Sequence, residues 1–260
     1  MNAVPPPDLP RTPSFRLDGR RGLVTGAGRG IGLGAAAALA AAGASVTLLA
    51  RGAAEIEAAA DAIRAAGGEA EALALDLGDV EAVRAAVLDR PAFHVLVNNA
   101  GTNRPAHFED VTPEDFDAVL DLNLRGCFFA AQSAAKAMLR DGVRGSIINV
   151  SSQMGQVGGP DRSVYCASKW AMEGWTRAMA LDLAPRGIRA NTLCPTFIET
   201  PLTKPFFERP GFRDWVLSKI KLGRVGQVQD LMGAVVFLAS DASALMTGTS
   251  LTVDGGWTAD

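Results

Sequence analysis

The sequence predicts a single doubly wound α/β domain with a mostly parallel sheet of about seven strands. Short apolar runs alternate with longer amphipathic or alanine-rich stretches, an order typical of parallel strands joined by right-handed helical crossovers. The runs are apolar at successive positions, as at Ile147 and Ile148, which indicates strands buried on both faces. No shift in composition divides the chain after residue 14, so residues 15–260 are expected to form one domain.

Each strand and helix is predicted from its local pattern of apolar residues and from the residues that end it. The predicted strands lie at 22–25, 45–50, 70–75, 94–97, 145–150, 188–193 and 250–253. The predicted helices lie at 31–42, 53–66, 80–88, 113–139, 164–183 and 230–240. Glycines end the first two helices, at Gly43 and Gly67. Polar or small residues follow the strands, which places the chemistry-bearing groups at the strand ends.

Composition limits the classes of partner. The chain has 260 residues, of which 48% are hydrophobic, enough for a sizeable core. It has 25 basic and 28 acidic side chains and a formal net charge of −3, so no basic excess points to nucleic acid or a membrane surface. Three scattered cysteines give no disulfide framework or zinc site. His94 and His107 lack metal-ligand spacing, so no metal is expected.

Residues 1–14 are expected to form a flexible, proline-rich tail, because four prolines stand within the first ten positions. The start lacks the charged segment and apolar run of a signal peptide. No stretch approaches the roughly 20 apolar residues that span a bilayer. We therefore expect a cytoplasmic protein with no membrane partner.

A glycine-rich run, Thr25-Gly-Ala-Gly-Arg-Gly-Ile-Gly32, stands between the first strand and the first helix. Small residues there let the backbone turn tightly and approach a pyrophosphate, and the helix N-terminus offers N–H donors. The alternative is an ordinary tight connection. The position of the run, after an apolar strand and before a long helix, favours nucleotide binding.

Tyr165, the only tyrosine of the chain, and Lys169 are four residues apart on a predicted helix, so they share a face. A free phenol ionises near pH ~10 and is a poor base at neutral pH, but a neighbouring ammonium stabilises the phenolate. A surface pair is the alternative. Ser152, at the end of a predicted strand, is the candidate to hold a substrate oxygen against Tyr165, and Ser151 is the competing choice.

Three motifs occur in one order: Thr-Gly-x-x-x-Gly-x-Gly, Asn-Asn-Ala-Gly and Tyr-x-x-x-Lys. In this order and spacing, the chain resembles the classical short-chain dehydrogenase/reductase family over about residues 15–259. The resemblance implies a Rossmann domain, hydride transfer between NAD(P) and an alcohol or carbonyl, and a homotetramer or homodimer. It also implies that Asn123 binds a water in a proton relay from Lys169. The predicted catalytic residues are Asn123, Ser152, Tyr165 and Lys169.

The resemblance also implies the cofactor contacts. Asp76, at the end of the third strand, is similar to the family's adenine contact, and Ile198 and Thr200 fall where the nicotinamide carboxamide is held. Thr196 after Pro195 departs from the family's usual Pro-Gly. The predicted cofactor-binding residues are Gly26, Arg29, Gly30, Ile31, Gly32, Arg51, Asp76, Leu77, Asn98, Ala100, Gly101, Tyr165, Lys169, Pro195, Ile198 and Thr200.

The residue at the end of the second predicted strand is expected to determine whether the protein prefers NAD or NADP. A carboxylate there would hold the ribose hydroxyls, whereas this chain has Arg51, which can pair with a 2′-phosphate, and Arg29 can assist. NADP is therefore favoured over NAD. The alternative is that Arg51 is a solvated surface arginine.

Residues 201–221 resemble, by position, the family's mobile lid over the substrate. The segment contains Phe206, Phe207, Phe212 and Trp215, which could equally pack an ordinary helix pair. The predicted substrate residues are Arg104, Ser152, Gln153 and Arg162.

Two arginines near the pocket suggest an anionic or polyhydroxylated substrate, such as a sugar acid or polyol. Two other functions stay open. A 3-oxoacyl thioester reductase would need a basic docking patch, which the acidic balance supports poorly. A non-catalytic nucleotide-binding scaffold would tolerate loss of Tyr165 or Lys169, and both are present.

Overall fold

A computed structural model describes residues 8–259. The strands are β1 (Arg21–Thr25), β2 (Ser45–Ala50), β3 (Glu69–Ala74), β4 (Val95–Asn98), β5 (Ser146–Val150), β6 (Arg189–Pro195) and β7 (Ser250–Val253). They form one seven-stranded sheet in the order β3-β2-β1-β4-β5-β6-β7, and every neighbouring pair is parallel. The predicted doubly wound α/β fold is confirmed.

Helices connect these strands and cover both faces of the sheet. They are α1 (Gly30–Ala41), α2 (Ala53–Ala65), α3 (Val80–Leu88), α4 (Pro113–Leu120), α5 (Cys127–Asp141), α6 (Ser163–Leu183), α7 (Lys204–Phe207), α8 (Phe212–Lys219) and α9 (Gln229–Ala239). Apart from the predicted helix 113–139, the ends of the predicted elements differ from the observed ends by at most two residues. Among the described residues, no helix is long and apolar enough to cross a membrane.

The two faces of the sheet are buried under different helices. In β1, Leu23 packs in a cluster with residues of α3, α5 and α6, whereas Val24 packs with residues of α1, α2 and α9. In β4, Leu96 and Val97 divide between the same two clusters. Burial on both faces is the reason for the continuous apolar runs in the sequence.

The winding of the sheet reverses at β1, which pairs with β2 on one side and with β4 on the other. The segments that leave β1 and β4 therefore turn to opposite faces, and a crevice forms beyond their carboxyl ends. The topology of the sheet alone therefore predicts a ligand-binding site in this crevice.

The predicted helix 113–139 is not a continuous α-helix, and this part of the prediction is corrected. A π-helical turn, Asp121–Gly126, separates α4 from α5. Within this turn the Asn123 side chain is fixed by two hydrogen bonds to the backbone of Thr102, and a Cβ on Gly126 would lie 2.8 Å from the carbonyl oxygen of Leu77. Tertiary contacts of this kind override regular helical periodicity.

The predicted tail, 1–14, lies partly outside the described residues. Residues 1–7 are not described. Residues 8–14 are exposed and have no regular secondary structure.

Candidate active site

A cleft of about 440 Å³ opens at the carboxyl ends of the strands, beside the point where the winding reverses. The segments that follow β1 to β6 all contribute to its lining. The cleft therefore collects the loops in which the sequence places its motifs.

The glycine-rich loop forms one wall of this cleft. Gly26 and Gly30 have φ angles of +65° and +57°, a backbone conformation that glycine adopts without steric cost. A Cβ on Gly26 would also lie 2.9 Å from the Cα of Ala100. In the part of the chain that the structure describes, no side chain caps the start of α1, so the N–H groups of its first turn remain available to a ligand.

Gly32 lies beneath this loop and does not line the cleft. A Cβ on Gly32 would overlap the carbonyl oxygen of Gly26 and would lie 2.5 Å from Nδ2 of Asn99. Glycine is needed there so that α1 can pack against the turn, and the effect of Gly32 on a cofactor is indirect.

Asn99 and Thr25 brace the glycine-rich loop, and the sequence analysis assigned neither a role. Asn99 Nδ2 donates to the carbonyl oxygens of Thr25 and Gly26 at 3.0 and 3.1 Å. Thr25 Oγ1 accepts from the N–H groups of Asn99 and Ala100, both at 3.0 Å. A polar side chain at the carboxyl end of each of two adjacent buried strands, Thr25 as the last residue of β1 and Asn99 directly after β4, was the available signal.

Asn98 is not brought to the cleft. Its side chain is fully buried, and Nδ2 donates to the carbonyl oxygen of Cys127 at 2.6 Å and to Oδ1 of Asn149 at 3.3 Å. Asn98 therefore joins β4 to β5 and α5, while Ala100 and Gly101 line the cleft. The prediction of Asn98 as a cofactor contact is replaced by a structural role, because alternate residues of a strand face opposite sides.

Two ion pairs lie at the end of the cleft formed by the segments after β1, β2 and β3. Arg51 Nη1 lies 3.8 Å from Asp76 Oδ2, and both side chains are exposed. Arg29 Nη1 lies 3.1 Å from Oε1 of Glu55, an acid in the first turn of α2 that the sequence analysis did not select. Asp76, Arg51, Arg29 and Glu55 all line the cleft, as does the buried Leu77.

Tyr165 and Lys169 lie on the first turns of α6 and both line the cleft. Lys169 is buried, and its Nζ donates a 2.8 Å hydrogen bond to the carbonyl oxygen of Val150. The same Nζ lies 5.7 Å from the centroid of the Tyr165 ring. The ammonium is thus held beside the phenol, as the i,i+4 spacing predicts.

The hydroxyl of Ser152 lies in the same cleft, at the end of β5. Ser152 Oγ donates to Oε1 of Gln153 at 2.9 Å and accepts from the N–H of Met154 at 3.1 Å. Its competitor, Ser151, has a buried hydroxyl beside Gly155, where a Cβ would lie 2.8 Å from Oγ. Both serines line the cleft, and Ser152 as the hydroxyl that meets a substrate stays a prediction.

Asn123 is fully buried and lies behind the cleft. Its Oδ1 accepts from the N–H of Thr102 at 2.7 Å, and its Nδ2 donates to Thr102 O at 2.8 Å and Ser168 Oγ at 3.2 Å. Ser168 Oγ in turn donates to the carbonyl oxygen of Tyr165 at 2.7 Å. The π-helical turn is therefore linked to the helix that carries Tyr165.

The last residue of β6, Pro195, and the segment after it, with Ile198 and Thr200, line the cleft. Ile198 forms an isolated parallel bridge with Gly226, and its carbonyl oxygen accepts a 2.6 Å hydrogen bond from Thr203 Oγ1. Thr196, where the family usually has glycine, donates its N–H to the carbonyl oxygen of Val253 at 3.3 Å, and its buried hydroxyl has no hydrogen-bond partner among the described residues.

The segment 201–221 folds into α7 and α8. Most of its aromatic side chains pack around Phe197, whose ring centroid lies 5.5 Å from Phe212 and 6.1 Å from Trp215. Phe206 instead lines the cleft. The expectation that these aromatics pack together holds for most of them, and a lid role for the segment stays a prediction.

Gln153 and Arg162, two predicted substrate residues, line the cleft and are buried. Arg104 does not line it. Its exposed side chain extends toward α4, with Nε 3.9 Å from Oδ1 of Asp115. Arg104 lies in a loop after β4, and a loop sequence has no periodic pattern from which the orientation of a side chain can be predicted.

The residues present fit NAD(P). The uncapped start of α1 and the positive-φ glycines offer a cradle for a pyrophosphate. Arg51 and Asp76 are suited to an adenosine ribose and base. Ile198 and Thr200 line the same cleft, and Thr200 stands beside Gly30 of the glycine-rich loop.

Comparison with known proteins gives the same class. A family model described as enoyl-(acyl carrier protein) reductase matches residues 26–258. The D-erythrulose reductase of Gallus gallus is 42% identical over 96% of this chain and 98% of its own. The gluconate 5-dehydrogenase of Gluconobacter oxydans is 38% identical over 97% of this chain and 98% of its own length. The crystal structure of a gluconate 5-dehydrogenase from Burkholderia cenocepacia, in complex with NADP and tartrate, superposes with a TM-score of 0.91 at 40% identity, covering 95% and 98%.

Fold and site together define a nucleotide-binding oxidoreductase of the doubly wound class. The chain belongs to the classical short-chain dehydrogenase/reductase family and is an NAD(P)-dependent enzyme of alcohol and carbonyl groups.

Proposed function

We propose that this enzyme interconverts a secondary alcohol and a ketone on a polyhydroxylated substrate, a sugar acid or a polyol, and prefers NADP. The observation that carries the proposal is that Tyr165, Ser152 and Lys169 line the same cleft as the glycine-rich loop and Arg51. The names of the erythrulose and gluconate relatives support the substrate class.

The proposed chemistry assigns one task to each side chain. In oxidation, the Tyr165 phenolate accepts the proton of the substrate hydroxyl while Ser152 Oγ donates a hydrogen bond to the same oxygen. NAD(P), held by the glycine-rich loop and Arg51, would supply the hydride acceptor for the carbon that bears this oxygen, and in reduction Tyr165 would return the proton to the same oxygen. Lys169, anchored on Val150, stabilises the phenolate. Asn123 links the π-helical turn to α6 through Ser168, and its part in a proton relay through a bound water stays a prediction.

The preference for NADP rests on Arg51. Its side chain is exposed and its partner Asp76 is 3.8 Å away, a weak surface pair that the 2′-phosphate can replace. Arg29, held by Glu55, stands on the glycine-rich loop as a second cation. The test is the Kd of NADPH and NADH for the wild type and Arg51→Ala. Weaker NADPH binding with unchanged NADH binding is expected, and an equal change in both opposes the proposal.

The direct test of the reaction is Tyr165→Phe, assayed with sugar acids, polyols and 3-oxoacyl thioesters and with both cofactors. Loss of about 100-fold or more in kcat is expected, because the ring remains but the acid/base group is gone. NADP binding should persist. If the variant turned over substrate at the wild-type rate, the mechanism would be contradicted and a scaffold role favoured. If the wild type turned over thioesters alone, the 3-oxoacyl alternative would be favoured.

We also propose that the enzyme is a homotetramer or homodimer in the cytoplasm. Large apolar side chains are exposed on α4, α5 and α6, namely Phe116, Phe128 and Trp170, and contact between copies would bury them. The free thiols Cys127, Cys166 and Cys194 suit a reducing compartment. Light scattering after size exclusion tests the assembly, and a monomer at micromolar concentration would contradict it.

A further inference from the structure

A second cavity, of about 160 Å³, lies beside the main cleft. Met154, Arg162 and Phe197 line both spaces, so they form a shared wall. The second cavity is lined in addition by Pro160, Asp161, Arg209, Phe212 and Trp215. Two arginines and an aromatic surface therefore meet at one end of the cleft.

Arg162 is a buried cation with few partners. It is 5% exposed, and its one hydrogen bond within residues 8–259 runs from Nη1 to the carbonyl oxygen of Asp161 at 3.2 Å. Burial lowers the pKa of its guanidinium, against the charge of Asp161. The Asp161 carboxylate is itself engaged, with Oδ1 3.1 Å from Nδ1 of His107.

A guanidinium offers five N–H donors in a planar fork. One bond to a backbone oxygen leaves most of them unused, and a buried charge without a counter-ion is costly. Arg162 thus has the properties of a receptor for an anion, because a carboxylate can accept two parallel hydrogen bonds from it.

The segment 201–221 brings a second cation to the same place. The guanidinium carbons of Arg162 and Arg209 each lie 5.2 Å from the ring centroid of Phe206. Phe206 belongs to α7 and lines the main cleft. A ligand bound at Arg162 therefore touches this segment, whose aromatic ring excludes water and strengthens the ion pair.

We propose that the substrate carries a carboxylate and that Arg162 binds it at the shared wall, with Arg209 adding its charge from the segment 201–221. This inference rests on the proposed function and selects the sugar acids over the neutral polyols. Arg162 stands three residues before Tyr165, and both line the cleft. A sugar acid can therefore present a hydroxyl to Tyr165 and its carboxylate to Arg162.

The test compares two substrates that differ only in this group, gluconate and the neutral polyol glucitol, with NADP⁺ in excess. The wild type is expected to prefer gluconate. Arg162→Met should lower kcat/KM for gluconate about 100-fold, mostly through KM, because truncating one partner of a desolvated charge pair leaves the other charge buried and unpaired. For glucitol the same variant should change kcat/KM by no more than a few fold.

Arg213→Met is the matched control. Arg213 is exposed on α8, and its guanidinium carbon lies 5.7 Å from the Phe207 ring centroid, so it shares the aromatic contact but lines neither cavity. It should leave both substrates unchanged. Arg162→Lys should restore part of the gluconate activity, since it keeps the charge without the fork.

Two outcomes separate this inference from the proposed function. If polyols turn over but gluconate neither reacts nor binds to the NADP⁺-saturated enzyme by calorimetry, the carboxylate site is wrong and the proposed function stands. If no sugar turns over, yet gluconate binds and Arg162→Met abolishes the binding, the proposed function is wrong and the site stands. Equal losses on both substrates overturn the inference.

Discussion

The Nζ atom of Lys169 donates a 2.8 Å hydrogen bond to the carbonyl oxygen of Val150, the last residue of β5. This bond anchors the first turns of α6 to the strand end from which Ser152 follows two residues later. One lysine thus supplies a buried positive charge and fixes the position of the helix that carries Tyr165.

Lys169→Met removes both contributions while keeping much of the apolar stem. The expected loss in kcat is about 100-fold or more, because the phenolate loses its stabilising charge. Lys169→Arg keeps the charge but misplaces it, and it should recover only part of the activity. Steady-state kinetics measure the effect, with thermal unfolding as the check on folding. Wild-type kcat in the Met variant would show that the ammonium has no catalytic part.

Gly32→Ala tests the packing beneath the glycine-rich loop. The new Cβ would overlap Gly26 O and would press on Asn99 Nδ2, so the loop must shift at a cost of about 1–3 kcal/mol. Weaker NADPH binding and a lower Tm are expected, by fluorescence titration and by calorimetry.

Gly233→Ala is the control for this variant. Gly233 lies within α9. A Cβ added there would have no described heavy atom within 4 Å apart from the helix's own nearby backbone. The substitution should leave NADPH binding unchanged and raise stability by up to about 1 kcal/mol, because alanine has the higher helix propensity. If both variants weaken binding alike, the loss in Gly32→Ala is not specific to the loop.

Patterns in the sequence predicted the fold well and the site unevenly. Strand and helix periodicity predicted the order of the elements, because β1, β2, β4, β5 and β6 are buried along nearly their whole length and most helices pack an apolar face against the sheet. Periodicity carries no information on where a loop side chain points, so Arg104 was selected and Arg209 was not. Asn98 and Asn99 are adjacent in the motif, and only the side-chain hydrogen bonds in the structure show that Asn99 holds the loop while Asn98 is buried.

The Arg224–Asp230 pair makes a pH prediction. Hydrogen bonds from Arg224 and from the N–H of Gln227 lower the pKa of Asp230 to about 2. A carboxyl group whose pKa is lowered by folding stabilises the folded state at any pH above its pKa in the unfolded chain, ~3.9. This stabilisation is lost as the pH falls through the pKa of the folded state. Since Arg224 is more than half exposed, solvent screening keeps the contribution to about 1 kcal/mol or less.

Asp230→Asn is therefore expected to lower the free energy of unfolding at pH 7 and to match the wild type only once the pH falls below about 2, the folded pKa of Asp230. Urea denaturation across this range gives the difference at each pH. Arg224→Gln should show the same trend, because either change removes the charge pair. A wild-type advantage that grows as the pH falls would have the wrong sign for this pair.

The cysteines make a second prediction on titratable groups. Burial raises the pKa of Cys127 to about 11, and burial together with the Glu173 carboxylate raises that of Cys194 to about 12. Thiolates are the reactive form, so both should resist alkylation at pH 8 in the folded protein. Cys166 is less buried and should react first. Counting modified thiols with and without denaturant tests this, and Cys166→Ser should remove the native reaction.

Glu173 carries the last prediction, because its buried carboxylate links α6 to β6 and β7. It accepts hydrogen bonds from Ser250 Oγ at 2.5 Å, Thr192 Oγ1 at 3.0 Å and Cys194 Sγ at 3.3 Å. Glu173→Ala would leave these donors unpaired and open a cavity, so a loss of about 2–4 kcal/mol in unfolding free energy is expected.

Ser250→Ala removes one of these bonds and should cost about 1 kcal/mol. The double variant should lose less than the sum of the two single changes, because Ser250 has no acceptor left once Glu173 is gone. Glu173→Gln keeps the shape and one acceptor oxygen, and it should retain most of the stability. Full additivity of the two alanine changes would mean that Glu173 and Ser250 contribute independently, and that α6 is held to β7 by packing alone.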